Sequence, residues 1–472
     1  MIRAGVERVV ITPPVGIHLS GYAERPPSIG VHDELTATAL VLDDARGGQA
    51  TAIVALDLAG LYADELTEAI KAEVTERAAV PAERVFLACS HTHYGPVVAQ
   101  EGDMEGGRTE IATAYRAVLP HLVAGGVTAA LARMRPVKVS AGVAEARIGI
   151  NRRLPAADGA TALAPNPDAP IDRDVHVLRF DILDGSAAAP SKGRRVDRGN
   201  ALATIVVHAC HPSSLEATVR EISADYPGTA RGIIEDLIGG TALMLQGAAG
   251  DIDPIEKAPD WNIPLRLGTE LAAAAAQAAL SATPLDDDSS LAVARERVAF
   301  PLRLPSDADA GRRTILALNR ERDELAQREA SHPRLWWIDL QIETAQSGLD
   351  ALIAGATPTL EGDVSVLRIG AAAICFNPAE LFSAIGARIK RSSPLPWTAV
   401  VGYTDGALWY VPTRDEYERG GYEVDVACRV APEAGDMLEQ RTLGLLHRLV
   451  QGPGEGSIVT SASGHAASGS RQ

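Results

Sequence analysis

The sequence contains few cysteines, few aromatic residues and no excess of positive charge. Its 472 residues include 4 cysteines without Cys-x-x-Cys spacing, which argues against a disulfide framework and against a zinc knuckle. The formal net charge is −17 and no run of lysine and arginine offsets it, so nucleic acid is not expected as a partner. An aromatic content of 4% also speaks against an enzyme of lipid surfaces. We therefore expect reduced thiols and a small-molecule partner.

The sequence also lacks a long apolar run. It has no stretch of about eighteen consecutive apolar residues, so no membrane span is predicted. An acidic residue occurs as early as Glu7, and the first residues show no apolar core of a signal peptide. This favours a cytoplasmic location. With 46% hydrophobic and 22% charged residues, the composition is typical of globular proteins. A homo-oligomer is left open.

Strand patterns and helix patterns alternate along the chain. Residues 51–57 read as a buried strand, residues 62–78 as an amphipathic helix and residues 85–89 as a second strand, which predicts a βαβ unit with parallel pairing. A helix is predicted to open at Glu380, and residues 154–171 and 185–199 are predicted loops. We predict an α/β fold, a layered αββα catalytic domain with mixed sheets flanked by helices over residues 1–450. A helical hairpin is inserted at about 305–355, and residues 451–472 form a disordered tail.

The segment at residues 90–96, Ser-His-Thr-His-Tyr-Gly-Pro, follows the strand at 85–89. An extended chain alternates faces, so His91 and His93 are predicted to point the same way, about 7 Å apart. Two imidazoles at a strand end suit a metal ion. A short motif of this kind is equally compatible with two structural histidines, so other segments must decide.

Several predicted strands deliver polar side chains at their carboxyl ends, which is the edge where open α/β sheets bind ligands. These side chains belong to Asp57, His91, His93, His211, Asp251, Asp253, Glu380 and Tyr410. Imidazole, carboxylate and phenol groups together form a plausible ligand set for zinc. Two roles stay open for Asp57, Asp225 and Asp251, which either form turns and caps or orient a metal-bound imidazole. His208 is predicted to face away from His211.

These segments resemble the neutral/alkaline non-lysosomal ceramidase family from about residue 1 to residue 450. The resemblance implies that zinc (Zn²⁺) is the cofactor and that four residues bind it, namely His91, His211, Glu380 and Tyr410. It further implies that His93 faces the substrate. Asn151, Arg152 and Tyr422 correspond to groups that hold the scissile amide or the product carboxylate.

Two features differ from the ceramidase pattern. Asp253, in the segment Gly-Asp-Ile-Asp-Pro, replaces a serine that is important for catalysis, and neither a secretion signal nor a C-terminal immunoglobulin-like domain is found. We predict a zinc-dependent hydrolase that cleaves an amide bond, with His93, Asp253, Arg152 and Tyr422 as catalytic residues. Asp253 would act as general base or bind a polar group of the substrate. An esterase or lactonase and a non-catalytic metal-containing binding protein are the alternatives.

Overall fold

The computed structural model describes residues 1–22, 25–46, 49–62, 64–99, 109–156, 159–183, 200–285, 290–328 and 334–451. The predicted loop at 185–199 and the predicted tail after Gln451 lie outside these ranges. The strands in chain order are β1 (Ile2–Val10), β2 (Gly30–Val31), β3 (Thr36–Asp43), β4 (Thr51–Leu56), β5 (Val85–Cys89), β6 (Arg135–Glu145), β7 (Gly149–Pro155), β8 (Thr161–Asn166), β9 (Asp174–Ile182), β10 (Ala201–His208), β11 (Glu221–Ile222), β12 (Thr241–Gln246), β13 (Ile252–Pro254), β14 (Thr283–Pro284), β15 (Leu291–Pro301), β16 (Thr359–Ile369), β17 (Ala372–Phe376), β18 (Ala379–Leu381), β19 (Trp397–Val401) and β20 (Trp409–Val411).

The helices connect these strands. They are α1 (Asp64–Ala78), α2 (Glu110–Ala132), α3 (Asp225–Ile238), α4 (Asn262–Leu280), α5 (Ala308–Arg328), α6 (Arg334–Ile353), α7 (Ser383–Ser392), α8 (Glu416–Arg419) and α9 (Ala434–Gln451), with a 3-10 turn at Ala82–Arg84 and a π-helical turn at Tyr422–Val426. None of these helices combines the length and the apolarity that crossing a membrane requires.

The larger sheet is mixed. Its strand order is β12-β10-β9-β6-β1-β3-β4-β5, and β14 pairs with β6. Strands β4 and β5 pair in parallel, as the βαβ pattern predicts, and β10 pairs in parallel with β12. The segment after Cys89 lies close to the segment after His208, because the His93 N–H donates to the Pro212 carbonyl oxygen over 3.1 Å.

A second sheet of order β15-β16-β17-β19 packs face to face on the larger one. The core between the two sheets is made of alternating apolar residues of both, because each strand turns every second side chain inward. Phe86 of β5 stacks on Phe376 of β17, with ring centroids 4.5 Å apart. The two sheets therefore form the inner layers of the molecule.

Helices cover both outer faces. Apolar residues of α1 and α2 pack on one half of the larger sheet, those of α3 and α4 on the other half, and those of α7 and α9 on the second sheet. Glycines permit close approach at two points, because a Cβ on Gly5 or Gly142 would lie 2.0 or 2.1 Å from a helix carbonyl oxygen. The predicted αββα layering with mixed sheets is confirmed. Helices α5 and α6 form a hairpin between β15 and β16.

Two local predictions were wrong. Glu380 does not open a helix but lies in the short strand β18, which pairs in parallel with β20 so that Glu380 faces Tyr410 in register. Long-range pairing overrides the local helix signal here, and α7 begins at Ser383. Residues 161–166 form strand β8 on β7 rather than a loop.

Candidate metal centre

His91 and His93 converge, but not by the extended geometry that the sequence pattern suggested. His91 has a left-handed backbone with φ of 66°, and its N–H donates to the Leu58 carbonyl over 2.8 Å. The His91 Nδ1 lies 2.6 Å from the Ala59 carbonyl oxygen, which fixes the ring. The Nε2 atoms of His91 and His93 are 3.3 Å apart. A turn anchored on the end of β4, and not strand alternation, brings the two rings together.

His211 joins this pair from the end of β10. Its ring is fully buried, and its Nδ1 lies 2.8 Å from the Ala249 carbonyl oxygen and 3.1 Å from that of Ile252. The ring centroids of His91 and His211 are 4.8 Å apart. One ligand atom from each of the three histidines lies within 4.8 Å of the other two. The segments after β5 and β10 therefore build one cluster.

Glu380 and Tyr410 complete the cluster because β18 and β20 hold them side by side. The Glu380 Oε2 is 3.4 Å from the Nε2 of His91 and 3.4 Å from the Nε2 of His211, and this buried oxygen has no hydrogen-bond partner in the described part of the chain. The Tyr410 hydroxyl lies 3.3 Å from the His211 Nε2. The structure thus brings together all four residues predicted to bind zinc.

The donor set fits a zinc ion. Both Nδ1 atoms face carbonyl oxygens and must carry the proton, so the Nε2 lone pairs of His91 and His211 point into the cluster. Tetrahedral zinc with ligands at about 2.0–2.1 Å separates its ligands by about 3.3 Å, close to the distances found here. Burial lowers the pKa of His211 to about 4, which keeps its imidazole neutral.

Arg152 is buried beside the cluster and binds three protein groups. It donates from Nη2 to the Tyr410 hydroxyl over 2.7 Å, from Nε to Glu423 over 2.7 Å and from Nη1 to Asp253 over 3.1 Å. A guanidinium has five N–H groups, so these three partners leave two of them unused among the described residues. Arg152 therefore binds Tyr410 directly, a contact that the sequence did not predict. A contact between Arg152 and the substrate stays a prediction.

Asp253 lies next to Arg152 on β13 and is half-buried. Its second oxygen accepts from the Lys257 ammonium over 2.5 Å. Burial alone would raise the pKa of this carboxyl, but Arg152 and Lys257 hold it well below its usual range. A carboxylate with so low a pKa is a weak proton acceptor at neutral pH, so the role of general base that we predicted for Asp253 is not favoured.

Asp57, Asp225 and Asp251 contact no imidazole within the described part of the chain. The ring nitrogens that they were predicted to orient bind backbone carbonyls instead. Asp57 accepts from Thr36 and Arg231. Asp225 accepts from Ser214 and Tyr226, and Asp251 from Asn151 and Ser383. Asp225 thus fixes the segment after His211 and Asp251 the segment after Glu380, whereas Asp57 joins the end of β4 to β3 and α3.

His93 and Tyr422 lie on the accessible side of the cluster. Both side chains are half-buried, whereas His91 and His211 are buried. Gly21 lies against His93, because a Cβ there would be 2.3 Å from its Cγ, and Tyr22 packs edge-on with ring centroids 5.3 Å apart. The Tyr422 ring is 5.8 Å from that of Tyr410. The loop at residues 13–22 and the π-helical turn therefore border the less buried side of the cluster, and we call this side the opening.

Several residues at the site were missed by the sequence reasoning. Tyr403 lies 4.1 Å from His91 between ring centroids, and its buried hydroxyl has no hydrogen-bond partner among the described residues. Glu423 binds both Arg152 and Arg153. Lys257 binds Asp253. A tyrosine directly after a strand was the one available signal for Tyr403, while Glu423 and Lys257 lie in segments without a recognisable pattern.

The residues predicted to stay outside the site do so. His208 Nδ1 bonds to the Asp174 carbonyl oxygen over 3.0 Å, away from the cluster. All four cysteines are free and buried. Burial raises the pKa of the Cys89 and Cys210 thiols, so neither is prepared to act as a thiolate ligand or nucleophile.

The chain was compared with known proteins. No protein-family model matches it, and no curated protein sequence does. The crystal structure of neutral ceramidase from Pseudomonas aeruginosa matches with a TM-score of 0.72 and 20% identity, over 97% of this chain and 76% of that one. A ceramidase complexed with C2 matches with a TM-score of 0.71 and 19% identity, over 95% and 75% of the two chains. The resemblance predicted from the motifs is thus confirmed for the fold: this chain has a neutral ceramidase-like fold.

Proposed function

We propose that this chain is a zinc-dependent hydrolase that cleaves an amide bond in a small molecule. The observation that carries the proposal is the convergence of His91, His211, Glu380 and Tyr410 on one buried point, with an oxygen of Glu380 left unpartnered. When bound there, zinc would polarise a carbonyl group and lower the pKa of a water molecule to about 7. Ceramide is an N-acyl compound, so the likeness to ceramidases favours an amide.

His93 and Tyr422 are positioned to stabilise the reaction. His93 stands at the accessible side of the cluster, and its Nδ1 has no hydrogen-bond partner among the described residues. A neutral imidazole and a phenol each carry one proton that can be donated. We assign to His93 and Tyr422 the donation of hydrogen bonds to the carbonyl oxygen as it gains negative charge during attack.

Arg152 prepares Tyr410 for its task. Burial raises the pKa of the Tyr410 phenol well above its ordinary value, and the Arg152 guanidinium, 2.7 Å from the phenol oxygen, opposes that effect. The guanidinium therefore favours a phenol oxygen with anionic character, which is the form that binds a metal ion well. Arg152 thus positions a ligand, and its two remaining N–H groups can face the substrate.

Hydrolysis of matched amides and esters tests the proposal. The protein is assayed with N-octanoyl amides and with octanoyl esters whose alcohol half matches the amine half of the amide in size. Each assay uses the protein as purified, after dialysis against a chelator and after zinc is restored. We expect amide hydrolysis that is lost on dialysis and returns with zinc. Ester cleavage without amide cleavage would favour the esterase or lactonase. Amide cleavage that survives complete metal removal would contradict zinc dependence, and zinc binding without turnover of any substrate would favour the binding protein.

A further inference from the structure

A chain of polar contacts leads from the protein surface to the candidate metal centre. The Lys257 ammonium donates to Asp253 over 2.5 Å, Asp253 accepts from Arg152 over 3.1 Å, and Arg152 donates to the Tyr410 hydroxyl over 2.7 Å. The exposed fraction of the side chain falls from 33% for Lys257 to 15% for Asp253 and 7% for Arg152. Lys257 is therefore the most solvent-exposed member of this chain of contacts.

Lys257 lies on the same side of the centre as His93. It belongs to the segment between β13 and α4, four residues after Asp253. The N–H of the next residue, Ala258, donates to the Ser214 carbonyl oxygen over 3.3 Å, and Trp261 of the same segment packs in one apolar cluster with Tyr22, whose ring contacts His93. The segment that carries the exposed Lys257 therefore borders the same less buried side of the centre as His93.

The hydrogen-bond donors that stay unused at this opening belong to a cation, the Lys257 ammonium. An ammonium group has three N–H donors, and the structure gives Lys257 one partner, Asp253, within the described part of the chain. Each oxygen of Asp253 already accepts from a cation, one from Arg152 and the other from Lys257. An incoming amine would have to compete with both cations, whereas an incoming anion finds two free N–H donors.

We propose that Lys257 binds a carboxylate of the substrate, and that the substrates of this site are amides with a carboxylate near the scissile bond. The inference rests on the proposed amide hydrolysis. Asp253 acts as the fixed counter-ion that holds the ammonium at the opening, and Arg152 holds Asp253. The carboxylate belongs either to the amine half, as in an N-acyl amino acid, or to the acyl half, as in the monoamide of a dicarboxylic acid.

Matched charged and neutral substrates test this inference. N-octanoylglycine is compared with N-octanoylglycinamide, and N-hexylsuccinamic acid with N-hexylsuccinamide, so that each pair differs in the carboxylate and the two pairs distinguish its source. In Lys257→Gln, KM for the charged member of the preferred pair should rise roughly tenfold or more with kcat little changed, because one charge-assisted contact is lost. KM for the neutral member should stay within about twofold, and Lys257→Arg should keep most of the preference.

The matched control is Lys138→Gln, which removes an exposed lysine charge from β6. It should behave as the unmodified protein on both pairs. Equal KM for charged and neutral members in the unmodified protein would overturn the inference. An equal rise of KM for both members in Lys257→Gln would do the same, because it would show an ion pair with a purely structural effect.

A binding measurement separates this inference from the proposed function. If no amide is hydrolysed under any condition, the proposed function fails, and thermal melting with the same compounds still tests the carboxylate site. N-octanoylglycine or N-hexylsuccinamic acid should then raise the melting temperature more than its neutral partner, and Lys257→Gln should abolish the difference. Identical melting shifts for charged and neutral compounds would overturn the carboxylate site on their own.

Discussion

At the scale of single residues, the candidate centre depends strongly on the shape of one guanidinium. Arg152→Lys keeps the charge, but one ammonium cannot reach Tyr410, Glu423 and Asp253 in the planar geometry seen here. We expect zinc affinity to fall roughly 10- to 100-fold, the usual effect of losing a group that supports a metal ligand. Competition with a chromophoric chelator measures this. Arg147→Lys, at an exposed position, should leave the affinity unchanged.

Asp225 gives a pH dependence of stability whose sign is fixed by burial. Burial raises its pKa to about 6 in the folded protein, above the value of about 3.9 for an unfolded aspartate. Between about pH 4 and pH 6 the folded state therefore binds more protons, so this residue's contribution to stability falls as pH rises through that window. Chemical unfolding of the protein and of Asp225→Asn at several pH values checks this. The stability difference in favour of the unmodified protein should shrink from pH 4 to pH 6, and a growing difference would contradict it.

The residue types at the site could be predicted from the sequence, but several of their roles could not. The strand-end pattern selected His91, His211, Glu380 and Tyr410 from the sequence, but in the structure Glu380 and Tyr410 lie within the short strands β18 and β20. The partner of Asp57 is Arg231, which lies 174 residues away, and that of Asp251 is Ser383, 132 residues away. Hydrogen bonds over such sequence separations form only in the complete fold, so no local sequence pattern predicts them.

At the scale of elements, two glycines set the distance between helix and sheet. In Gly142→Ala the new Cβ would lie 2.1 Å from the Ala278 carbonyl oxygen of α4, so the helix must move. We expect a loss of about 1–3 kcal/mol of unfolding free energy, the usual cost of overpacking. Gly125→Ala on α2 is the control, since nothing lies within 4 Å of its Cβ and alanine is the better helix former. Urea unfolding should show a loss for the first variant and a small gain for the second.

Most elements were predictable because their own periodicity specifies them. Strand β5 has the predicted bounds, and the parallel pairing of β4 with β5 follows from the connecting helix. Strand β18 was missed because three residues carry no periodicity and its partner β20 lies about thirty residues later. The left-handed turn at His91 was missed because histidine rarely adopts it, and it persists here through backbone bonds to the end of β4.

At the scale of the whole molecule, a buried ionic cluster joins the two sheets. Asp405 accepts from the Leu87 N–H of β5, from Lys71 of α1 and from Arg295 of β15 over 2.8–2.9 Å. Asp405→Asn leaves the buried Lys71 without its counter-charge and Arg295 with Asp363 alone, and we expect a loss of about 3–5 kcal/mol. Chemical unfolding at pH 7 measures it, with the exposed Asp309→Asn on α5 as control. A loss no greater than that of the control would show that the cluster does not hold the sheets together.

We propose that four side chains from distant parts of the chain form one zinc site. Elemental analysis of the purified, zinc-reconstituted protein tests it most directly. We predict about one zinc per chain, a marked loss of zinc in His91→Ala and in His211→Ala, and near-normal zinc in His208→Ala, a buried histidine that faces away. Absence of zinc from the unmodified protein after reconstitution, or equal loss in all three variants, would contradict the account.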